Sequence, residues 1–190
     1  MACIGILAIQ GDFEKHKQAI TRLGEEAVLV RTKAELDSCD GLVIPGGEST
    51  TLTNLLKKHG LWDEIRTFAS ARPIFGTCAG LIILAARVNK NHVRTLGLID
   101  IAVERNAYGR QVNSFIDEVE INLNGTETHF EGVFIRAPRI VELGKGVVPL
   151  AHHNQDVVMA EQGNILVATF HPELTDDLLV HRYFAEKVSG

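Results

Sequence analysis

Nowhere does this sequence stay apolar for the roughly 20 residues that a membrane-spanning helix needs, and nowhere do charges of one sign form a block. The first absence excludes a spanning helix. The second, with acids and bases interleaved and a net charge of only −5, removes the electrostatic footprint expected of a nucleic-acid binder or of a protein held on an anionic membrane. Residues 1–9 are apolar but lack a basic segment ahead of them, and the polar stretch 12–17 follows at once. That is not the form of a secretory leader, so a cytoplasmic protein is expected. Cysteine is scarce as well. Cys3, Cys39 and Cys78 are odd in number and widely spaced, which suits neither a disulfide framework nor a zinc site. Internal repeats, low-complexity segments and linkers are also missing, and 190 residues at 45% hydrophobic content fit one domain, residues 1–190, with a continuous core.

What is present reads first as alternation. Residues 4–9 form a continuous apolar run that suits a strand covered on both faces. Gln10-Gly11 breaks it, and Asp12 is placed to cap a helix running to about residue 23. Further strands are expected at 27–30, 42–44 and from 74, with helices over 52–58, 62–69 and 81–87. Strand and helix in turn predict an α/β fold: an open, mostly parallel sheet with helices on both faces, three layers in all. The second half changes texture. Short β-like runs at 99–103, 118–123, 132–135, 157–160 and 165–170 are divided by turns such as Asn124-Gly125 and Gln162-Gly163-Asn164, which predict hairpins and a small antiparallel elaboration. A helix over about 176–188 closes the chain, with Asp176-Asp177 as its cap.

Three segments carry chemistry. Gly76-Thr77-Cys78-Ala79-Gly80 has the G-x-nucleophile-x-G form of a nucleophile elbow, with cysteine in the serine position. A strand turning sharply into a helix holds such a residue in a strained conformation with its side chain presented. The first turn of the helix offers positive potential that suits a thiolate, and the N–H of Ala79 would face a developing oxyanion. The bland alternative is a small buried cysteine in a tight turn. His171-Pro172-Glu173 follows the run 165–170, so His171 and Cys78 both stand just past the carboxyl end of a strand, on one edge of the sheet. A cysteine nucleophile needs a base, and the base needs an acceptor to fix its ring; Glu173 is close enough to reach back. Alone, a histidine there is more often a surface or capping residue. Pro45-Gly46-Gly47-Glu48-Ser49-Thr50 lies between strand and helix, where its glycines let backbone N–H groups approach a substrate. It lacks the lysine of a phosphate loop and the spacing of a dinucleotide fingerprint; its plain reading is a turn with Ser49 or Thr50 as helix cap.

Weaker candidates surround these. His152-His153 are adjacent, diverging and expected to be solvated rather than ligands. His16, His59 and His181 sit in helical stretches without an evident partner. Arg105 and Arg136, beside β-like segments, are either carboxylate grips or surface residues.

Taken together, the three segments resemble the class I glutamine amidotransferases. The blocks Leu7-Ala8-Ile9-Gln10-Gly11, Val103-Glu104-Arg105-Asn106 with Gly109-Arg110-Gln111-Val112, and Gly132-Val133-Phe134-Ile135-Arg136-Ala137-Pro138 narrow the resemblance to the glutaminase-subunit family of pyridoxal phosphate synthase. It covers residues 4 to about 184. The resemblance implies Cys78 as nucleophile, His171 as general base and Glu173 as the group orienting that base. It implies an oxyanion hole from Gly46, Gly47 and Ala79, with Gln10 linked to its formation when a partner docks, and glutamine contacts from Gly47, Glu48, Ser49, Arg105, Ile135 and Arg136. It further implies a partner, a synthase subunit of barrel fold, in a hetero-oligomer. No metal or organic cofactor is required by the thiol chemistry. The rival readings are the glutaminase of a different amidotransferase and a catalytically silent binding module of the same fold.

Overall fold

In the computed structural model, residues 1–89, 93–105 and 114–190 are described. The chain runs β1 (Cys3–Leu7), α1 (Phe13–Arg22), β2 (Glu26–Val30), α2 (Lys33–Asp37), β3 (Gly41–Ile44), α3 (Ser49–Lys58), α4 (Trp62–Ala69), β4 (Ile74–Thr77) and α5 (Ala79–Leu84). It continues through β5 (Ala85–Asn89), β6 (Ile99–Glu104), β7 (Ser114–Leu123), β8 (Thr126–Ile135), β9 (Arg139–Leu143), β10 (Val148–His153), β11 (Asp156–Gln162) and β12 (Ile165–Ala168). A 3-10 turn (Pro172–Leu174) and α6 (Leu179–Ser189) complete it. The main sheet has the order β2-β1-β3-β4-β12-β11-β10-β7-β8. Its first five strands are parallel, and β11, β10, β7 and β8 extend it antiparallel. A second sheet, β5-β6-β9, packs Ile101, Val103 and Ile140 into one core cluster with Ala160 of β11 and Val167 of β12.

The parallel strands are apolar throughout because both of their faces are covered, and alternate residues feed opposite cores. Leu42 and Ile44 of β3 pack with Leu36, Leu52, Trp62 and Leu81, on the side of α2 to α5. Val43, between them, packs with Phe75, Ile20 and Phe184, on the side of α1 and α6. The expected α/β architecture with helices on both faces is therefore the observed one. Phe184 is fully buried and rests against Phe75 at a centroid distance of 5.6 Å. Phe184→Ala is expected to destabilise the protein by about 3–5 kcal/mol, read as a lower urea midpoint at unchanged slope.

Local differences from the sequence reading have physical causes. Asp12 occupies the N-cap position of α1 but its side chain makes no cap hydrogen bond. Asp177 does accept from the N–H of Leu179 at 2.9 Å, yet α6 begins three residues later than expected. The helix expected over 81–87 is α5, which stops at Leu84; Ala85–Asn89 instead pairs in parallel with β6. α2 was not expected, and neither were β9 and β10. The Asn124-Gly125 hairpin is as read: both residues have positive φ, 53° and 79°, joining Leu123 and Thr126 as a two-residue turn.

Candidate active site

β4 and β12 are neighbours in parallel register, with Thr77 opposite Ala168 and the N–H of Cys78 donating to the Ala168 carbonyl at 2.9 Å. Whatever follows these two strands must emerge on the same sheet edge. After β4 the chain turns within one residue: Cys78 has φ 49° and ψ −104°, a positive φ that costs a non-glycine residue of order 1–3 kcal/mol. The turn works only with glycine two residues on, since a Cβ on Gly80 would run into the backbone oxygen of Ile44. Cys78 ends 6% exposed, its Sγ 3.8 Å from the Ile135 carbonyl oxygen.

After β12, the N–H of His171 donates to the Val133 carbonyl at 2.8 Å, and its ring Nδ1 meets Glu173 Oε1 at 2.7 Å. Both side chains are buried. That contact commits Nδ1 and leaves Nε2, itself buried, with no hydrogen-bond partner. Gly46 fits against both His171 and Cys78: a Cβ there would come 2.6 Å from His171 Cε1 and 3.3 Å from Cys78 Cβ. Burial alone would depress the imidazole pKa; the Cys78 sulfur and the Glu173 carboxylate outweigh it and hold the pKa up to about 10. For Glu173, burial pushes upward, but His16 and His171 hold the carboxyl down to about 2.

The loop before α3 forms the opposite wall. The helix cap is Glu48 rather than Ser49 or Thr50: its carboxylate accepts the N–H groups of Thr50 and Thr51 at 2.9 and 2.7 Å. Arg105 Nη2 adds an ion pair at 2.8 Å. Against a burial effect that raises it, these N–H and hydroxyl donors hold the Glu48 carboxyl down to about 2. Ser49 Oγ is buried and unpartnered. The Gln10 side chain lies over Gly47, its Nε2 donating to the Glu48 carbonyl at 3.4 Å.

Around these groups is a cavity of about 510 Å³, bounded by Gly46, Gly47, Glu48, Ser49, Cys78, Arg105, Ile135, Arg136 and His171, together with Gly11, Asp12, Ile82 and Ser114. That is a volume suited to a small polar metabolite. Of the residues singled out by sequence, Ala79, Gln10 and Glu173 lie outside this lining, Ala79 buried as the first residue of α5. Asn106 and the 109–112 block lie outside the described residues. A larger cleft of about 990 Å³ opens beside β7, β8, β10 and α6. It holds no cysteine or serine, and its Glu161 is already engaged by Tyr183 and Lys187.

The remaining cysteines differ from Cys78. Burial pushes the Cys39 thiol up to about 12, and Cys3 is raised by the same cause. Among the histidines, His59 is exposed at the C-cap of α3. His153 is not solvated: its ring lies beside Phe115 and Phe134, and Nε2 meets Asp117 Oδ2 at 2.9 Å. His16 and His181 do have partners. Both are fully buried, 2.9 Å from each other and behind Glu173. Their signal was available, because each falls on the apolar stripe of its helix, His16 with Ala19 and Ile20, His181 with Val180 and Phe184.

These two rings have a consequence for stability. Burial lowers the pKa of His16 and carries that of His181 down to about 3. Groups with depressed histidine pKa values stabilise fully above the free value, near 6.5, and lose that contribution as pH falls toward the folded value. His171, raised instead, is protonated in both states below about pH 6 and adds no slope there. The urea midpoint is therefore expected to fall between about pH 6 and 5, before carboxylates titrate; a flat midpoint across that interval would contradict the burial of two neutral rings.

Comparison with known proteins accords with this geometry. A family model described as the SNO glutamine amidotransferase family matches residues 6–190. The pyridoxal 5'-phosphate synthase subunit PdxT of Thermotoga maritima is 50% identical over 186 residues, 97% of this chain and 98% of that protein. The protein of the same name from Geobacillus kaustophilus is 50% identical, over 97% and 94%. A crystal structure of a glutamine amidotransferase superposes with a TM-score of 0.92 at 45% identity, covering 98% of this chain and 99% of the other. The structure of PurLQS from Thermotoga maritima, at 16% identity and a TM-score of 0.70 over 100% of this chain and 96% of that one, shares the fold. On the match to residues 6–190 and the identity along nearly its whole length, the chain belongs to the SNO glutamine amidotransferase family.

Proposed function

We propose that this chain hydrolyses L-glutamine to L-glutamate and ammonia, and passes the ammonia to a synthase subunit that makes pyridoxal 5'-phosphate. The observation that carries the reading is His171, its Nδ1 committed to Glu173 and its Nε2 open, packed with Cys78 around Gly46. An imidazolium lying between a sulfur and a carboxylate is the partner a thiolate nucleophile requires.

In this mechanism the Cys78 sulfur attacks the side-chain amide carbon of glutamine. N–H groups of Ala79 and of the Gly46-Gly47 loop stabilise the tetrahedral oxyanion, each such donor worth about 3 kcal/mol. His171 gives its Nε2 proton to the departing nitrogen, releasing ammonia and leaving a γ-glutamyl thioester. The now neutral imidazole takes a proton from water, whose oxygen adds to the thioester; glutamate leaves and the sulfur is restored. Arg136 supplies a cation for the substrate carboxylate, while Glu48, Ser49, Arg105 and the Ile135 carbonyl shape the rest of the pocket. Arg105 acts through Glu48, which it grips. None of these steps draws on a metal or an organic cofactor.

Ammonia released to water is protonated and lost as a nucleophile, so the product has value only beside a consumer. The names of the relatives at 50% identity support a pyridoxal 5'-phosphate synthase as that consumer; its synthase subunit, of barrel fold and bound to this chain in a cytoplasmic hetero-oligomer, is part of the proposal. None of the described helices is long and apolar enough to cross a membrane. Gln10 lying over Gly47 supports an oxyanion loop that is completed on docking. Glutamine hydrolysis measured with and without the synthase subunit tests this: turnover is expected to rise on adding it. Equal rates would remove the partner's role, and no hydrolysis in either mixture would remove the glutaminase reading.

A further inference from the structure

Behind the Cys78–His171–Glu173 line, the structure continues it by two more rings. Glu173 uses Oε1 for His171. Its other oxygen, Oε2, is buried and makes no aligned hydrogen bond; His16 Nε2 stands 3.3 Å from it and 3.4 Å from Thr77 Oγ1. His16 Nδ1 is 2.9 Å from His181 Nε2, and His181 Nδ1 is buried without a partner. The three side chains come from the first helix, the turn after β12 and the last helix, so 165 residues separate the two rings that touch. Nothing in packing demands histidine here. The ring packed against both histidines is Phe75, and an apolar residue would fill the space without burying unpaired nitrogen.

The proton arrangement is determined by the carboxylate. Two neutral imidazoles in contact share a single N–H between them. If His16 donated from Nδ1, its Nε2 lone pair would face the Glu173 carboxylate, and His181 would hold a buried N–H with no acceptor. If His181 donates from Nε2, His16 accepts at Nδ1 and carries its own proton on Nε2, pointing it at Glu173. Only the second arrangement sets a donor against the negative charge. We propose that His16, held in this tautomer by His181, is a positioning residue for the glutaminase reaction: its Nε2–H, bonded to the Thr77 hydroxyl and 3.3 Å from the second oxygen of Glu173, sets the positive end of its dipole against that oxygen and so steadies the carboxylate that aligns His171. This rests on the hydrolysis assigned above to Cys78 and His171.

The groups facing Glu173 and His16 are His171 on the same turn, His181 on α6, Asp12 ahead of α1 and the Thr77 hydroxyl at the end of β4. Removing the His16 donor takes away the N–H dipole that faces the buried Oε2 and leaves His171 as the remaining group that keeps Glu173 ionised. The test uses the chain together with its synthase subunit, comparing wild type with His16→Phe, His16→Gln and Cys78→Ala. His16→Phe fills the space without a donor, whereas His16→Gln places an amide N–H near the Nε2 position. His16→Phe is expected to lower kcat by about 10–100-fold, the scale on which activity falls when the hydrogen-bond partner that orients a metal-ligating side chain is removed, with KM unchanged. The acid limb of kcat/KM moves to higher pH in the same variant. His16→Gln is expected to recover most of kcat and return the acid limb.

Loss that is equal in the phenylalanine and glutamine variants, or a wild-type kcat and pH profile in His16→Phe, overturns the proposal while an inactive Cys78→Ala leaves the glutaminase reading intact. Full activity in Cys78→Ala overturns that reading instead. If the His16 variants fail to fold, nitrogen-15 NMR of the imidazoles in the unaltered protein decides the matter. Protons on Nε2 of both His16 and His181 at neutral pH are expected; a proton on His16 Nδ1 overturns the proposal.

Discussion

Cys78→Ala is expected to reduce glutamine hydrolysis by on the order of 10⁶-fold, the scale on which a triad hydrolase loses turnover with its nucleophile, while folding is kept. The side chain sits at the head of a turn whose shape is set by the backbone: φ 49° at position 78, and Gly80 closed against Ile44. Alanine meets the same φ as cysteine, so the turn survives. Loss of one buried sulfur costs about 1 kcal/mol of stability. Ammonia release assayed beside a urea titration separates the two effects. Comparable hydrolysis by the alanine variant, or a collapsed midpoint, would show that Cys78 is a packing residue after all.

Glu173→Gln is expected to cost about 10⁴-fold in kcat, the loss seen when an amide replaces the carboxylate behind a catalytic histidine. The carboxylate accepts at Oε1 from His171 Nδ1 at 2.7 Å and so fixes the proton there, with Nε2 turned to the substrate side. An amide that donates instead reverses the tautomer. The pH profile should move with it. In the native site the sulfur of Cys78 and the carboxylate of Glu173 hold the His171 pKa up to about 10 against the effect of burial. The imidazolium, and the stability it lends, is thus complete below about pH 6.5 and lost as pH rises toward 10. Without the carboxylate, the alkaline limb of kcat/KM should shift to lower pH. Glu173's own contribution runs the other way, present above about pH 4.5 and lost as pH falls toward 2. An unchanged alkaline limb in Glu173→Gln would mean the carboxylate does not govern the ring.

Much of this site was legible before any coordinates, because its parts are set by local rules. A tight strand-to-helix turn needs glycine near its head, and a strand-ending His-Pro-Glu places an imidazole and a carboxylate two residues apart. The sheet then brings both to one edge, since β4 and β12 are adjacent and parallel. What the sequence hid depends on contacts between distant segments. α2 buries only Leu36 and so shows no apolar period, although Thr32 and Glu35 form the capping box that starts it. β10 contains Pro149, which argues against a strand when read alone. The helix expected over 81–87 ends at Leu84 because the next residues pair with β6, a strand fourteen positions further on. His16 and His181 each look partnerless on their own helices; only the closure of α6 beside α1 makes one of them the partner of the other. The cap of α3, expected at Ser49 or Thr50, is Glu48, whose carboxylate holds the first N–H groups of α3 and Arg105 together.

Reaction with a glutamine analogue bearing an electrophilic carbon at the amide position bears most directly on the central claim. The chain would be mixed at neutral pH with the synthase subunit, then the labelled residue mapped by mass spectrometry. One adduct is expected, on Cys78, and none on Cys3 or Cys39, whose thiols burial holds in the protonated form; replacing His171 with alanine should slow labelling steeply. Label on Cys3 or Cys39, or labelling of Cys78 at an undiminished rate without the imidazole of His171, would contradict a paired sulfur and ring at this sheet edge.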